Sequence, residues 1–202
     1  IAALGEARAI GRAGAEGKIS AEYVEALALA SERCPWWDEP HGRLAESAWL
    51  RAQAADDGAT FARHALEALS ALDSAIVANP RSVQWRLRAA QVCVAAALRG
   101  VAADAMFERA IAYQRSAVSL YPTSALLRAG LAEMQAFAGR KEDAREAAHE
   151  ALRLDDLMPD RLRKLDAEAR RRCEELAARP AVSQRVRRRP SGWGGATIPV
   201  AS

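Results

Sequence analysis

Four amphipathic segments follow one another along the chain, and each is closed by a residue suited to stopping a helix: Pro35, Pro80, Pro122 and Asp156. Five positions before each of these stands an alanine: Ala30, Ala75, Ala117 and Ala151. Three and seven positions further back come Leu27 and Tyr23, Leu72 and Ala68, Gln114 and Ala110, and Ala148 and Ala144. Steps of three and four place each trio on one face of a helix, so the pattern predicts four helices that each present a mostly small-residue face. The closing residues are 45, 42 and 34 positions apart, and four matches in register make an internal repeat of helical period.

The last repeat predicts its own parts. Thr123 and Ser124 offer hydroxyls to cap a helix in which Leu127, Leu131 and Met134 recur every three or four residues. Gly139 stops that helix, because glycine tolerates the left-handed conformation of a helix end. A second helix opens on Glu142 and Asp143, favourable at the positive end of the dipole, and runs to Leu154. The unit is therefore helix, tight turn, helix.

Here the chain resembles the tetratricopeptide repeat family. The large and small pair Leu131-Ala132, the turn at Gly139, and Ala144, Ala148 and Ala151 stand at the spacing of that family's signature. Ile10-Gly11, Leu27 and Ala30 make a less complete first unit, with Tyr23 where a small residue is usual. The units ending at Pro80 and Pro122 keep the ladder but are longer by 11 and 8 residues than the 34-residue unit. The resemblance implies that the alanine face lets each second helix nest against its partner and the next unit. It implies an all-α, right-handed α-solenoid of about four helix-turn-helix repeats.

Residues 1–178 are expected to form the repeat domain, closed by a capping helix whose apolar stripe is Leu162, Leu165, Ala169, Cys173 and Leu176. Residues 179–202, rich in Arg, Pro and Gly, read as a flexible tail. Composition supports helix: half of the 202 residues are hydrophobic but only 5% are aromatic, and the Ala, Leu, Arg and Glu that dominate are good helix formers.

The net charge of +3 has an address, since Arg179, Arg185, Arg187, Arg188 and Arg189 follow the last acidic residue, Glu175. Setting those five aside leaves 24 basic against 26 acidic residues, so the body carries about −2 and no field that gathers phosphates. No specific nucleic-acid partner is expected. The longest wholly apolar run, Val92 to Leu98, is far short of the roughly 20 residues of a membrane span, so a membrane connection would come through a segment preceding Ile1.

Candidate chemistry is sparse. Cys34, Cys93 and Cys173 are widely spaced and read as small buried hydrophobes. Glu146 and His149 form an E-x-x-H without the second such pair that a di-iron bundle needs. The run from Cys34 to His41 gathers a thiol, carboxylates and an imidazole, but reads structurally: Pro35 ends a helix, Trp36 and Trp37 cover the joint between units, and Asp38 caps the next helix. His64 sits among Phe61, Leu66 and Leu69 on a helical face. No common phosphate-binding or hydrolase signature occurs, so neither a cofactor nor a metal is expected and the chain does not read as an enzyme.

Function is expected from surface. In a solenoid the first helices line a concave wall that takes an extended segment or helix of a protein or peptide partner. The wall residues are Arg43 and Glu46 in the second unit, Gln84, Arg88 and Gln91 in the third, and Glu133 in the fourth. The Lys/Asn/Arg clamp by which some family members hold a terminal carboxylate has no match on these faces. More narrowly, stretches such as CPWWDEPHGRLAE and MPDRLRKL resemble the soluble repeat tail of bacterial O-antigen ligase or polymerase-like membrane proteins. That resemblance implies an extracytoplasmic setting and a parent that supplies the glycosyl-transfer residues; otherwise a cytoplasmic one is expected. The rival class is an anion-binding adaptor, for lipid headgroups or nucleic acid, acting through the Arg-rich tail.

Overall fold

The structure, a computed structural model, describes residues 20–178. Among them are eight α-helices and no strand: α1 (Ala21–Arg33), α2 (Asp38–Gln53), α3 (Gly58–Ala78), α4 (Val83–Leu98), α5 (Ala103–Leu120), α6 (Ala125–Phe137), α7 (Lys141–Leu157) and α8 (Ala167–Ala178), with a 3₁₀ turn at Arg161–Arg163 before the last. The first helix of the first unit, with Ile10 and Gly11, and the Arg-rich tail lie outside the described residues.

Short polar side chains set the helix starts. The side chains of Ser20, Asp57, Ser82 and Ser124 each accept from the backbone N–H three residues on, which satisfies one of the donors a helix start leaves unpaired. Glycine sets two of the stops. Gly100 and Gly139 take φ of 80° and 74°, and the next residues, Val101 and Arg140, donate back to the carbonyls of Ala96 and Gln135 at 3.0 and 2.8 Å.

Consecutive helices form pairs, α2 with α3, α4 with α5 and α6 with α7, and the pairs stack through α3 on α4 and α5 on α6. The small-residue ladder is the inside of this stack. Leu27, Ala30, Ala68, Leu72, Ala75, Ala110, Gln114, Ala117, Ala144, Ala148 and Ala151 are each no more than 5% exposed. Tyr23, the residue out of pattern, is only half-buried. Methyl groups on this face let helices approach closely enough for backbone and side-chain atoms to fill the space at interior density. The extra length of the middle units goes into both helices: α2 and α4 have 16 residues and α3 and α5 have 21 and 18, against 13 and 17 in α6 and α7.

Two glycines mark the tightest contacts between units. A Cβ on Gly42 would stand 2.2 Å from Cη2 of Trp85, so the indole of α4 lies directly on the backbone of α2. A Cβ on Gly130 would stand 2.7 Å from Nε2 of Gln114. Gln114 occupies a ladder position where the other units carry Leu or Ala, and its amide donates to the carbonyl of Leu127 at 2.8 Å. The ladder accepts this larger residue because the facing helix has no side chain there.

Several expectations need correction. The last repeat helix runs on to Leu157 rather than stopping at Leu154, so Asp156 lies inside its final turn. Buried Asp155 sustains this extension: its carboxylate accepts from Leu165 N–H at 2.6 Å and from Arg170 of α8. The stripe from Leu162 to Leu176 is not one helix, because α8 begins only at Ala167; Leu165 and Cys173 are buried, Ala169 and Leu176 partly so, and the Leu162 side chain lies outside the described part. Trp36 does not cover a joint, being 72% exposed, whereas Trp37 is half-buried. Asp38 is the first residue of α2 rather than its cap, and its carboxylate reaches across to Trp85 and Asn79 instead.

Candidate partner-binding face

The first helices of the third and fourth units, α4 and α6, enclose a shallow groove of about 260 Å³ lined by Gln91, Val94, Ala95, Leu98, Glu133, Met134 and Phe137. Leu98 and Phe137 are the last residues of their helices, 65% and 56% exposed. Both stand two positions before a turn glycine, where the helix ends before its side chains can be covered by the next turn.

Of the wall residues expected from sequence, Gln91 and Glu133 come together in this groove. Arg88 donates to Gln91 Oε1 at 3.4 Å beside it. Glu133 is also the counter-ion of Arg172 on α8, at 3.2 Å, which ties the groove to the capping helix. Arg43 and Glu46 pair with each other on α2 at 3.1 Å, and neither they nor exposed Gln84 line the groove. Sequence reasoning selected polar positions and missed the apolar ones, Val94, Leu98, Met134 and Phe137. The signal that could have found two of them is the shared motif of a large apolar residue two positions before Gly100 and Gly139.

The other reactive residues are held apart or occupied. Asp38 accepts from Trp85 Nε1–H at 2.8 Å and from Asn79 at 3.0 Å; burial opposes its charge, but these bonds together hold its carboxyl below the ordinary range. His41 Nε2 lies 3.4 Å from the carbonyl of Pro35, so imidazole, Asp38 and half-buried Cys34 do not form a catalytic line. His64 Nδ1 is 2.9 Å from Glu67, whose carboxyl that contact holds low. Burial pushes the Cys93 thiol up to about 12 and the Cys173 thiol up to about 11, the opposite of an activated nucleophile. Glu146 and His149 are exposed on α7. Among the described residues no three His, Cys, Asp or Glu side chains gather as a metal site, and no helix is long and apolar enough to cross a membrane.

No family model and no curated protein matches the chain. Solved structures do. A thermophilic TPR protein of Thermus thermophilus, TTC0263, is similar with a TM-score of 0.54 and 24% identity, over 84% of this chain and 77% of that one. A MamA RS-1 ArsTM double mutant is similar with a TM-score of 0.51 and 17% identity, over 86% of this chain and 92% of that one. The resemblance to a ligase tail gains no support from these structures. Paired helices in register, a buried small-residue ladder and these structural relatives agree: the chain folds as a tetratricopeptide-repeat-like α-solenoid.

Proposed function

We propose that the protein is a non-catalytic interaction scaffold that holds an amphipathic segment of a protein partner against the α4 and α6 face. The observation that carries this reading is the placement of Leu98 and Phe137. Two large apolar side chains more than half exposed, with Val94 and Met134 beneath them, form an apolar centre framed by Gln91 and Glu133. Apolar anchors inside a polar rim are the arrangement by which interfaces obtain most of their affinity. A partner residue of Leu or Phe size would fill the groove, while Gln91 and Arg88 would meet main-chain groups. The similarity to repeat proteins supports a scaffold in general; the identity of the segment is this reading's own content.

The test is to pan a random peptide library on the full chain and titrate the enriched peptides calorimetrically against the native protein and a Leu98→Ser/Phe137→Ser variant. Binding weakened by about tenfold or more, and kept at high salt, is expected, since apolar burial is not screened. Equal affinity for both proteins would place the interface elsewhere. Binding that collapses with salt and disappears on removal of residues 180–202 would instead favour the Arg-rich tail as the contact.

A further inference from the structure

The buried ladder gives a register in which successive second helices correspond position by position. Tyr113 stands one residue before the ladder residue Gln114, and Ala147 one before Ala148. Arg109 and Asp143 correspond in the same way, each one residue before the first alanine of its ladder, Ala110 and Ala144. Asp73 and Arg115 each follow the middle ladder residue, Leu72 and Gln114. The grooves between second helices, α3 with α5 and α5 with α7, therefore carry the same three positions.

In the first of these grooves the protein fills the space itself. Tyr113 leaves α5, packs on the core and crosses to α3, where its hydroxyl donates to Asp73 and accepts from Arg109 Nε at 3.1 Å; Arg109 also pairs with Asp73. In the second groove the ion pair recurs with its charges exchanged, Arg115 on α5 and Asp143 on α7, but it stands open at 3.8 Å. Ala147 takes the place of the tyrosine. A groove of about 510 Å³ lies there, walled by α5, α6 and α7 and floored by Leu131 and Ala147.

Gln135 lines this groove and is only 4% exposed, yet its Oε1 is buried with no hydrogen-bond partner within the protein. A buried acceptor left unmatched is costly, so a donor brought from outside gains there more than it would at an exposed site. Gln135 is the third residue from the end of α6 and Asp143 the third of α7, so the antiparallel pair brings both to the turn end of the groove. Farther along, Glu150 takes hydrogen bonds from Arg153 at 2.7 and 2.8 Å and has the charge of Arg128 beside it, so those three charges answer one another.

We propose that this groove takes a tyrosine side chain of a partner protein, in the place that Tyr113 occupies in the groove before it. The ring lies on Leu131 and Ala147. Its hydroxyl enters at the turn end, where Arg115 donates and Asp143 and Gln135 Oε1 accept. A phenylalanine brings no donor and leaves the Gln135 oxygen unmatched beneath it, so the site selects the phenol over the plain ring. Asp143, Glu146 and His149 are exposed along the rim, which leaves the groove open for a ring that arrives on a protein chain. The site lies across α6 from the α4 and α6 face and does not depend on it.

The test uses the isotope-labelled full chain with the end-blocked tripeptides Ala-Tyr-Ala and Ala-Phe-Ala, followed by amide chemical shifts. Ala-Tyr-Ala is expected to move amides of residues 131–135 and 143–147 saturably, and Ala-Phe-Ala to bind about tenfold or more weakly, the equivalent of hydrogen bonds to charged groups. Ala147→Tyr should fill the groove from within and abolish binding. Asp143→Ala, a change at an exposed side chain that does not threaten folding, should weaken binding by about tenfold. Phe137→Ser should bind the tripeptide like the native chain, which separates this site from the α4 and α6 face. The proposal is overturned if Ala-Tyr-Ala gives no saturable shifts, if Ala-Phe-Ala binds equally, or if Asp143→Ala binds as the native protein does.

Discussion

The indole N–H of Trp85 donates to the carboxylate of Asp38 at 2.8 Å, while the same ring covers the backbone of Gly42 one turn further along α2. Trp85 thus fixes both the distance and the rotation between two successive first helices. Two effects compete at Gly42. Helix propensity favours Ala over Gly by about 1 kcal/mol, but a methyl there would stand 2.2 to 2.7 Å from three ring carbons. Overpacking against a ring held by its own hydrogen bond costs about 1 to 3 kcal/mol, so the clash is expected to win. Gly42→Ala should lower the denaturant midpoint, and adding Trp85→Leu should cost less than the sum of the two single changes; simple additivity would show that the contact is not the cause.

Asp38 also gives the fold a pH signature. Its carboxyl is held below the ordinary value of 3.8, the hydrogen bonds from Trp85 and Asn79 outweighing the burial that opposes charge. A depressed folded value means that the ionised form stabilises fully above the unfolded value and that this contribution is lost as pH falls through the lower, folded one. Melting the native protein and Asp38→Asn from pH 6 to pH 2 should show the native advantage constant down to about pH 4 and shrinking below it. An advantage independent of pH would mean that the charge contributes nothing.

Gln114 and Gly130 form a matched pair that can be exchanged. Gly130→Ala alone puts a methyl 2.7 Å from Gln114 Nε2 and should destabilise by about 1 kcal/mol or more, although the amide can shift aside. Gln114→Ala alone removes the bond to Leu127 and leaves a cavity beside the glycine. Made together, they restore a small residue to the ladder and a better helix former to α6, regaining about 1 kcal/mol of propensity. The double variant should melt above either single one; a double variant that melts lowest would refute the pairing.

These cases also show what the sequence made legible. The ladder is periodic, and close helix packing is the physical cause of the period, so Ala68, Ala110 and Ala148 could be placed inside from spacing alone. Glycine turns and hydroxyl caps act within four residues and were equally readable. Asp38 was misjudged because local rules favour a carboxylate before a helix as its cap, whereas its partners are 41 and 47 residues away. Asp155 was passed over for the same reason, since a partner on α8 leaves no periodic trace. The apolar wall was missed because exposed Leu98 and Phe137 have the residue types of core positions, and only the point where each helix ends leaves them uncovered.

The fourth unit tests the ladder directly. Ala148 is fully buried, so Ala148→Leu inserts three carbons into a filled interface at a cost of about 1 to 3 kcal/mol. A solenoid is held by neighbour contacts, so hydrogen exchange should quicken first in α7 and α8 while α2 to α4 keep their protection. Arg145→Leu, off the buried face, should change stability by no more than about 0.5 kcal/mol. Unchanged protection of residues 141–178 in Ala148→Leu would show that the repeat register assigned here is wrong.

The capping helix has a thiol that reports on its docking. Cys173 is 1% exposed and pushed up to about 11 by burial, with the charges of Glu133, Asp155 and Glu174 adding to the effect, so it should react slowly with iodoacetamide at pH 8. Its shelter depends on Asp155, which binds Leu165 N–H and Arg170 and so fastens the segment leading into α8. Asp155→Ala leaves that buried N–H unmatched, at about 1 to 3 kcal/mol, and frees Arg170 from one of its three acidic partners, the others being Asp156 at 3.0 Å and Glu174, on its own helix, at 3.2 Å. Among the described residues α8 packs mainly on α7 and, less, on α6, so it should undock before any other helix opens. Labelling of Cys173 should therefore rise by about tenfold or more in Asp155→Ala, while buried Cys93 stays protected and half-buried Cys34 reacts alike in both proteins. If Cys93 and Cys173 quicken together, the variant loosens the whole array and Asp155 is not a local fastening.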